Sequence, residues 1–247
     1  VAIHRLLAAT AALLVLAASA QASYVVTYTI DAGGSSHDPL NGLSAAAEFS
    51  IDGTQFTITL SNTSTGVPSG ADVSDSLLVS LAFDLLDGIT IVSGDSAQIG
   101  AGAVGLGAWS GEGPGFDVGE EWLWTNDGAG DLLETSSQVI STSQGTGSGT
   151  TVSFNGEPNP NVKGPFGGIA ASPPLLDVPL SKAAVSNSIE FNLTLSGTLS
   201  EQQLRTIARD SIVEFGSDYR YLVVPAPGAL WLVVIAAAGR RTRSRSG

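Results

Sequence analysis

The pattern of apolar and polar positions predicts strands over most of the chain. Ser188-Ile-Glu-Phe-Asn-Leu-Thr-Leu195 alternates strictly, placing Ile189, Phe191, Leu193 and Leu195 inward and Glu190, Asn192 and Thr194 outward. A period of two is the side-chain period of a half-buried strand. The same period runs through Thr54-Gln-Phe-Thr-Ile-Thr-Leu60, where Phe56, Ile58 and Leu60 share a face opposite Thr57 and Thr59. Ala45–Ile51 precedes it, and the Asp52-Gly53 pair between the two runs predicts a hairpin. Tyr24–Ile30 is β-branched and aromatic and ends in the turn-rich Asp31–Ser36, so it reads as a further strand.

Leu77–Leu86 is a longer apolar run closed by Asp87-Gly88 before Ile89–Val92, and predicts a second, more deeply buried hairpin. Strands are also expected at Glu120–Thr125, Ser137–Ile140 and Ile212–Phe215. Ser200-Glu-Gln-Gln203 has the form of a capping box and predicts a short helix to about Ala208. Gln144–Gly149 reads as a flexible tip, and the prolines between 156 and 182 predict irregular chain without a helix. Many short strands, turn residues between them and no βαβ rhythm imply an all-β fold, a single antiparallel β-sandwich of jelly-roll or immunoglobulin type. No fixed-period repeat is visible, which argues against a propeller or solenoid.

Composition agrees with that fold class and adds a compartment. The 247 residues include 30 glycines and 43% hydrophobic residues, enough for a sizeable core. Cysteine is absent, which removes thiolate metal sites, thiol catalysis and disulfides. An exported chain of this length can bury enough surface to do without disulfides. All 23 acidic residues fall between Asp31 and Asp218. Against them the body sets only Lys163, Lys182, Arg205, Arg209 and Arg220, a formal charge of −18 for that part of the chain. Such a surface repels phosphate backbones, so nucleic acid is excluded as a natural partner.

The first 22 residues have the three parts of a secretory signal. His4 and Arg5 precede an apolar run from Leu6 to Ala18, then Ala20-Gln21-Ala22 supplies an Ala-x-Ala site. Cleavage is expected after Ala22, with Ala20 the second choice. The run is shorter than the ~20 apolar residues of a spanning helix. Export through the Sec machinery is the expectation.

Candidate chemistry in the body is sparse. His37 is the one histidine past the signal, and it lies in a Gly-Ser-rich turn without a nucleophile-elbow pattern. One histidine without cysteine cannot make a zinc site. The densest acidic patch, Asp117, Glu120, Glu121, Asp127 and Asp131, lies beside Trp122 and Trp124. Carboxylates near aromatics suit a sugar-binding site or a glycoside hydrolase. Adjacent strand residues point to opposite faces, however, so Glu120 and Glu121 cannot pair directly. Calcium is the one cofactor left open, at this patch or at Asp72 and Asp75; no EF-hand pattern supports it. Asn62-Thr-Ser64 and Asn192-Leu-Thr194 match the glycosylation sequon. The reading taken is a non-enzymatic protein with no catalytic residues, no bound metal and no required cofactor. A carbohydrate- or calcium-binding module is the alternative, and a secreted glycoside hydrolase the third.

The last stretch is the most specific. Val224-Pro225-Ala226-Pro227-Gly228-Ala229 leads into an apolar run through Leu230–Ile235 to Gly239, then Arg240, Arg241, Arg243 and Arg245. Export stalls at such a run while the arginines stay cytoplasmic by the positive-inside rule, leaving the prolines at the outer face. This tail resembles the PEP-CTERM sorting signal of exosortase systems, in the Pro-Ala-Pro-Gly variant of planctomycete-type members, with Ala226 where the family's name has glutamate. The resemblance covers about the last 25 residues. Asn41–Ala47 followed by a hairpin is also similar to the body of small exosortase-dependent surface proteins. The resemblance implies an exosortase-type enzyme as processing partner and transient inner-membrane contact. Its implied destination is the cell surface or extracellular matrix, with extracellular polysaccharide a further partner. The organisation read from the chain is thus a signal peptide at 1–22, a body at 23–222 and a sorting tail at 223–247.

Overall fold

The computed structural model describes residues 22–29, 42–67, 69–86, 88–126, 136–142, 151–158, 164–216, 221–223 and 231–234. Along these the strands are β1 (Ala22–Thr29), β2 (Ser44–Asp52), β3 (Gln55–Asn62), β4 (Leu78–Phe83), β5 (Ile91–Ile99), β6 (Val104–Gly107), β7 (Leu123–Thr125), β8 (Gln138–Ser141), β9 (Val152–Ser153), β10 (Ile169–Ala170), β11 (Ala183–Ser186), β12 (Ser188–Leu195), β13 (Ile212–Phe215), β14 (Tyr221–Val223) and β15 (Trp231–Val234). One helix, α1 (Glu201–Asp210), lies between β12 and β13. The chain is therefore mostly β, in two sheets, one of them curled into a half-barrel.

The first sheet has the order β15-β1-β2-β3-β12-β5. Its centre is the hairpin expected at Asp52-Gly53: Asp52 pairs with Gln55, and Gly53 takes the positive φ of 61° that the turn requires. Phe49, Phe56, Ile58, Leu60, Phe191 and Leu193 point inward and are fully buried, as the alternation predicts. The second sheet has the order β6-β11-β10-β4-β8-β7-β9, with β13 and β14 adding beside β4. The two sheets share one apolar core. The ring of Phe83 from β4 lies 5.8 Å from that of Phe56 and 6.4 Å from that of Phe49, both edge-on. Truncating a buried phenylalanine of this kind costs about 3–5 kcal/mol.

The hairpin expected across Asp87-Gly88 does not form. β4 and β5 belong to different sheets: β4 pairs with β8 and β13, while β5 pairs with β12. Every residue of β4 is buried, so the strand needs neighbours on both edges and both faces, and an adjacent β5 is not among them. The apolar run reports burial, and burial alone does not name the partner strand. Pairing is also not wholly antiparallel, because β10 and β11 run parallel through Ile169↔Val185.

The chain changes sheet abruptly between β11 and β12. Only Asn187 separates them, with φ 76°, a left-handed conformation that asparagine tolerates better than most residues. Its N–H donates to the Ala170 carbonyl at 2.8 Å and its carbonyl accepts from the Asn62 N–H at 2.9 Å. The helix begins as its sequence predicts. The Ser200 hydroxyl accepts from the Gln203 N–H at 3.3 Å, and the Gln203 side chain accepts from the Ser200 N–H at 2.8 Å. Leu204, Ile207 and Ala208 bury one face of the helix. The Tyr24 hydroxyl of β1 donates to Glu201 at 2.6 Å.

Candidate functional site

The acid–aromatic stretch is built from a loop and a short strand. Residues 115–118 run along the outer edge of β5: the Ile99 N–H donates to the Phe116 carbonyl and the Val118 N–H to the Ala97 carbonyl, both at 2.9 Å. Asp117 is exposed, and its Oδ1 accepts the Gly119 N–H at 2.8 Å, closing an Asx turn. Glu120 is exposed and Glu121 half-buried at the turn that leads to β7. Trp122 is fully buried. Its Nε1 donates to the Gly167 carbonyl at 3.0 Å, and its ring stands edge-on to Phe191 at 4.9 Å. Trp124, 8% exposed, lies against Gly94 of β5, where an added Cβ would come within 2.5 Å of the indole.

The strand expected at Glu120–Thr125 is only Leu123–Thr125, so Trp122 precedes it and the spacing of two does not set its face; Trp122, Leu123 and Trp124 are all buried in the core. The exposed acids Asp117 and Glu120 point to solvent, so the described members of the patch do not form one surface. Asp127 and Asp131 lie outside the described residues. The Trp124 Nε1 is buried without a hydrogen-bond partner, a donor left unsatisfied in the core.

The other candidate cation ligands serve the backbone. Asp72 Oδ1 accepts from the Ser74 N–H at 2.8 Å and from the Ser74 hydroxyl. Asp75 Oδ2 accepts from the Asp72 N–H at 3.2 Å. Together they hold the single 3₁₀ turn Ser74–Ser76 that feeds β4. Among the described residues no three His, Cys, Asp or Glu side chains converge as a metal would need.

Both sequons are engaged internally. The Asn62 side chain, 2% exposed, donates to the carbonyls of Ser76 at 3.0 Å and Ile169 at 2.7 Å. Asn192 sits mid-strand on the outer face of the first sheet. It accepts from the Thr57 hydroxyl at 2.8 Å and donates to Ser96 and Glu190 at 3.1 Å each.

One buried polar group escaped the sequence reading. Glu214, 1% exposed, accepts from the Ser80 hydroxyl at 2.9 Å, and Ser80 bonds Ser141 at 2.7 Å. The three side chains lie in one cross-strand row over β13, β4 and β8. The only sequence signal was a glutamate between Val213 and Phe215 in an otherwise apolar strand.

The first and last described strands pair with each other. Ala22, at the expected cleavage site, opens β1, and β15 from the apolar part of the tail pairs with it antiparallel. Leu222 and Val223, at the boundary set between body and tail, both belong to β14 and pair with Glu214 and Val213. Ala20, His37, the motif Pro225, Ala226, Pro227 and Gly228, and the cluster Arg240, Arg241, Arg243 and Arg245 lie outside the described residues. No described helix is long and apolar enough to cross a membrane. No family model, no curated protein and no solved structure matches the chain.

Proposed function

We propose that the protein is an exported cell-surface or extracellular-matrix component with a structural or adhesive role, delivered by its C-terminal tail. The observation that carries this reading is the order of segments at the two ends. A basic, apolar and Ala-x-Ala leader stands at residues 1–22; Pro225–Gly228, an apolar run and four arginines stand at the other end. That order suits export followed by a stalled transfer and a cut at the outer membrane face. An exosortase-type enzyme is the processing partner we assign, acting after Sec-dependent export. We read the body as a mostly antiparallel sandwich of jelly-roll or immunoglobulin kind, with the one parallel pair β10–β11. A non-enzymatic role is supported by Trp122 and Trp124 packing inward, away from Asp117 and Glu120.

Intact-mass measurement of protein extracted from the cell surface tests the reading. The expected mature chain starts at Ser23 and ends within the proline motif. Recovery of the complete arginine cluster in that form would overturn it.

A further inference from the structure

β1 lies one strand in from the edge of its sheet, beside β15, and would be an edge strand without it, yet it has the composition of a core strand. Residues 23–28, Ser-Tyr-Val-Val-Thr-Tyr, include no proline, no lysine and no charge. Its ladder with β2 is regular from Ala22↔Ile51 to Thr29↔Ser44, without a bulge. Edges of this kind template pairing with another strand unless something covers them. Here the cover is β15, through Ala22↔Val234, Ser23↔Val233, Tyr24↔Leu232 and Val25↔Trp231. Those four pairs leave Val26–Thr29 without a strand on that side among the described residues.

β15 lies wholly inside the apolar run of the tail. Its residues cannot be in a bilayer and in the sheet at once, because backbone groups in lipid must be satisfied within a helix or a closed barrel. A cut in the proline motif would separate them from the body altogether. Either event bares the whole of β1.

We propose that β1 is the protein's assembly edge: β15 covers it while the tail is docked, and β1 of a second copy takes that place once the tail leaves. This rests on the reading of the tail as a removable sorting signal. A second copy fits for reasons of geometry and charge. β15 runs antiparallel to β1, and two β1 strands related by a two-fold axis are antiparallel too, so the contact is self-complementary. β1 carries no charged side chain on a strongly acidic body, so two copies meet there without directly opposed carboxylates. The far edge of the same sheet is covered at both ends of β5. Residues 115–118 cover Ala97 and Ile99, and the Asn126 side chain both donates to and accepts from the Ile91 main chain at 2.8 Å. Association through one open edge stops at a dimer.

The test uses the purified full chain and sedimentation equilibrium across a concentration series. The unaltered chain is expected to be monomeric. Leu232→Pro with Val233→Pro, which removes strand N–H groups from β15, is expected to double the mass at raised concentration. Adding Thr27→Lys, a charge on the bared edge, is expected to return the monomer. Val233→Asp gives a second route to undocking should the proline pair misfold. The absence of cysteine lets Val25→Cys with Trp231→Cys report docking, through an intramolecular disulfide that the β15 variants abolish. Undocked but folded chains that stay monomeric at every concentration overturn the proposal, as does an unaltered chain that is already dimeric with its tail docked. No processing enzyme is needed, so this result stands apart from the mass of the surface-extracted protein.

Discussion

The side-chain amide of Asn62 donates to the main-chain carbonyl of Ile169 at 2.7 Å, tying β3 of one sheet to β10 of the other. Its second hydrogen goes to the Ser76 carbonyl, and its Oδ1 accepts from the Ser64 N–H at 3.1 Å. Nothing of the amide is left over, and the residue is buried. Asn62→Leu strands two buried carbonyls, each an unmade hydrogen bond of about 1–3 kcal/mol. We expect a loss of about 2–6 kcal/mol in urea unfolding with the denaturant slope unchanged. A loss below about 0.5 kcal/mol, the size of an ordinary surface substitution, would mean the sheets are not joined there.

Gly94 is glycine because Trp124 occupies the space of its side chain. The indole Cδ1 and Nε1 would each lie 2.5 Å from an added Cβ, with a Phe154 ring carbon at 2.9 Å. The backbone at Gly94 is not left-handed, so the constraint is room alone. Gly94→Ala is expected to cost about 1–3 kcal/mol, the usual range for overpacking a core. Tryptophan emission should shift in the folded state as the ring is pushed from its seat. An alanine variant as stable as the parent, with unchanged emission, would contradict this packing.

These contacts mark where the sequence could be read and where it could not. Alternation located β2, β3 and β12 and told their faces apart, because Phe56, Phe191 and Thr57 each face one side of a half-buried sheet. The Ser200–Gln203 capping box was legible because both partners lie within one turn. β4 was legible as buried but not in its pairing, since a run apolar on both faces holds no register information. The two-residue β9 and β10 offered no periodicity to detect. For the candidate patch, the i, i+2 spacing of Trp122 and Trp124 named no face, because Trp122 lies outside β7 and Leu123 between them is buried as well. Their burial depends on Phe191 and Gly94, residues distant in sequence. Asn62 read as a sequon because a three-residue motif carries no record of Ile169, 107 positions away.

Tyr28 gives the fold a weakness at high pH. Its hydroxyl is fully buried in β1 and shares a hydrogen bond with the Ser211 hydroxyl at the end of α1. Burial raises its pKa far above the usual tyrosine value of about 10, and the Ser211 bond offsets this only in part. A group whose folded pKa is raised binds its proton more tightly in the folded state. Its contribution is therefore full below pH 10 and is lost as pH climbs from there toward the folded pKa. The expected slope from this one residue is about 1.4 kcal/mol per pH unit above pH 10. Urea midpoints measured from about pH 9 to about 11.5, across the tyrosine titration, should fall less steeply in Tyr28→Phe than in the parent. Equal slopes would place the hydroxyl in water.

The row of Glu214, Ser80 and Ser141 couples three strands through side chains rather than main chain. Ser80 of β4 is central, donating to Glu214 Oε2 at 2.9 Å and bonding the Ser141 hydroxyl at 2.7 Å. All three are at most 2% exposed, so water cannot readily replace a missing partner. Ser80→Ala deletes both contacts and is expected to cost about 1–3 kcal/mol. Glu214→Gln keeps the size of the side chain and an acceptor oxygen, so it should cost less. Pairing Ser80→Ala with Glu214→Leu, which does remove the acceptor, separates a network from two unrelated losses. If Ser80 acts on Glu214 directly, the combined loss should fall short of the sum of the singles by about 0.5–3 kcal/mol. Strict additivity in urea unfolding would instead mean that Glu214 is held by its other contacts and that the row is a matter of strand register alone.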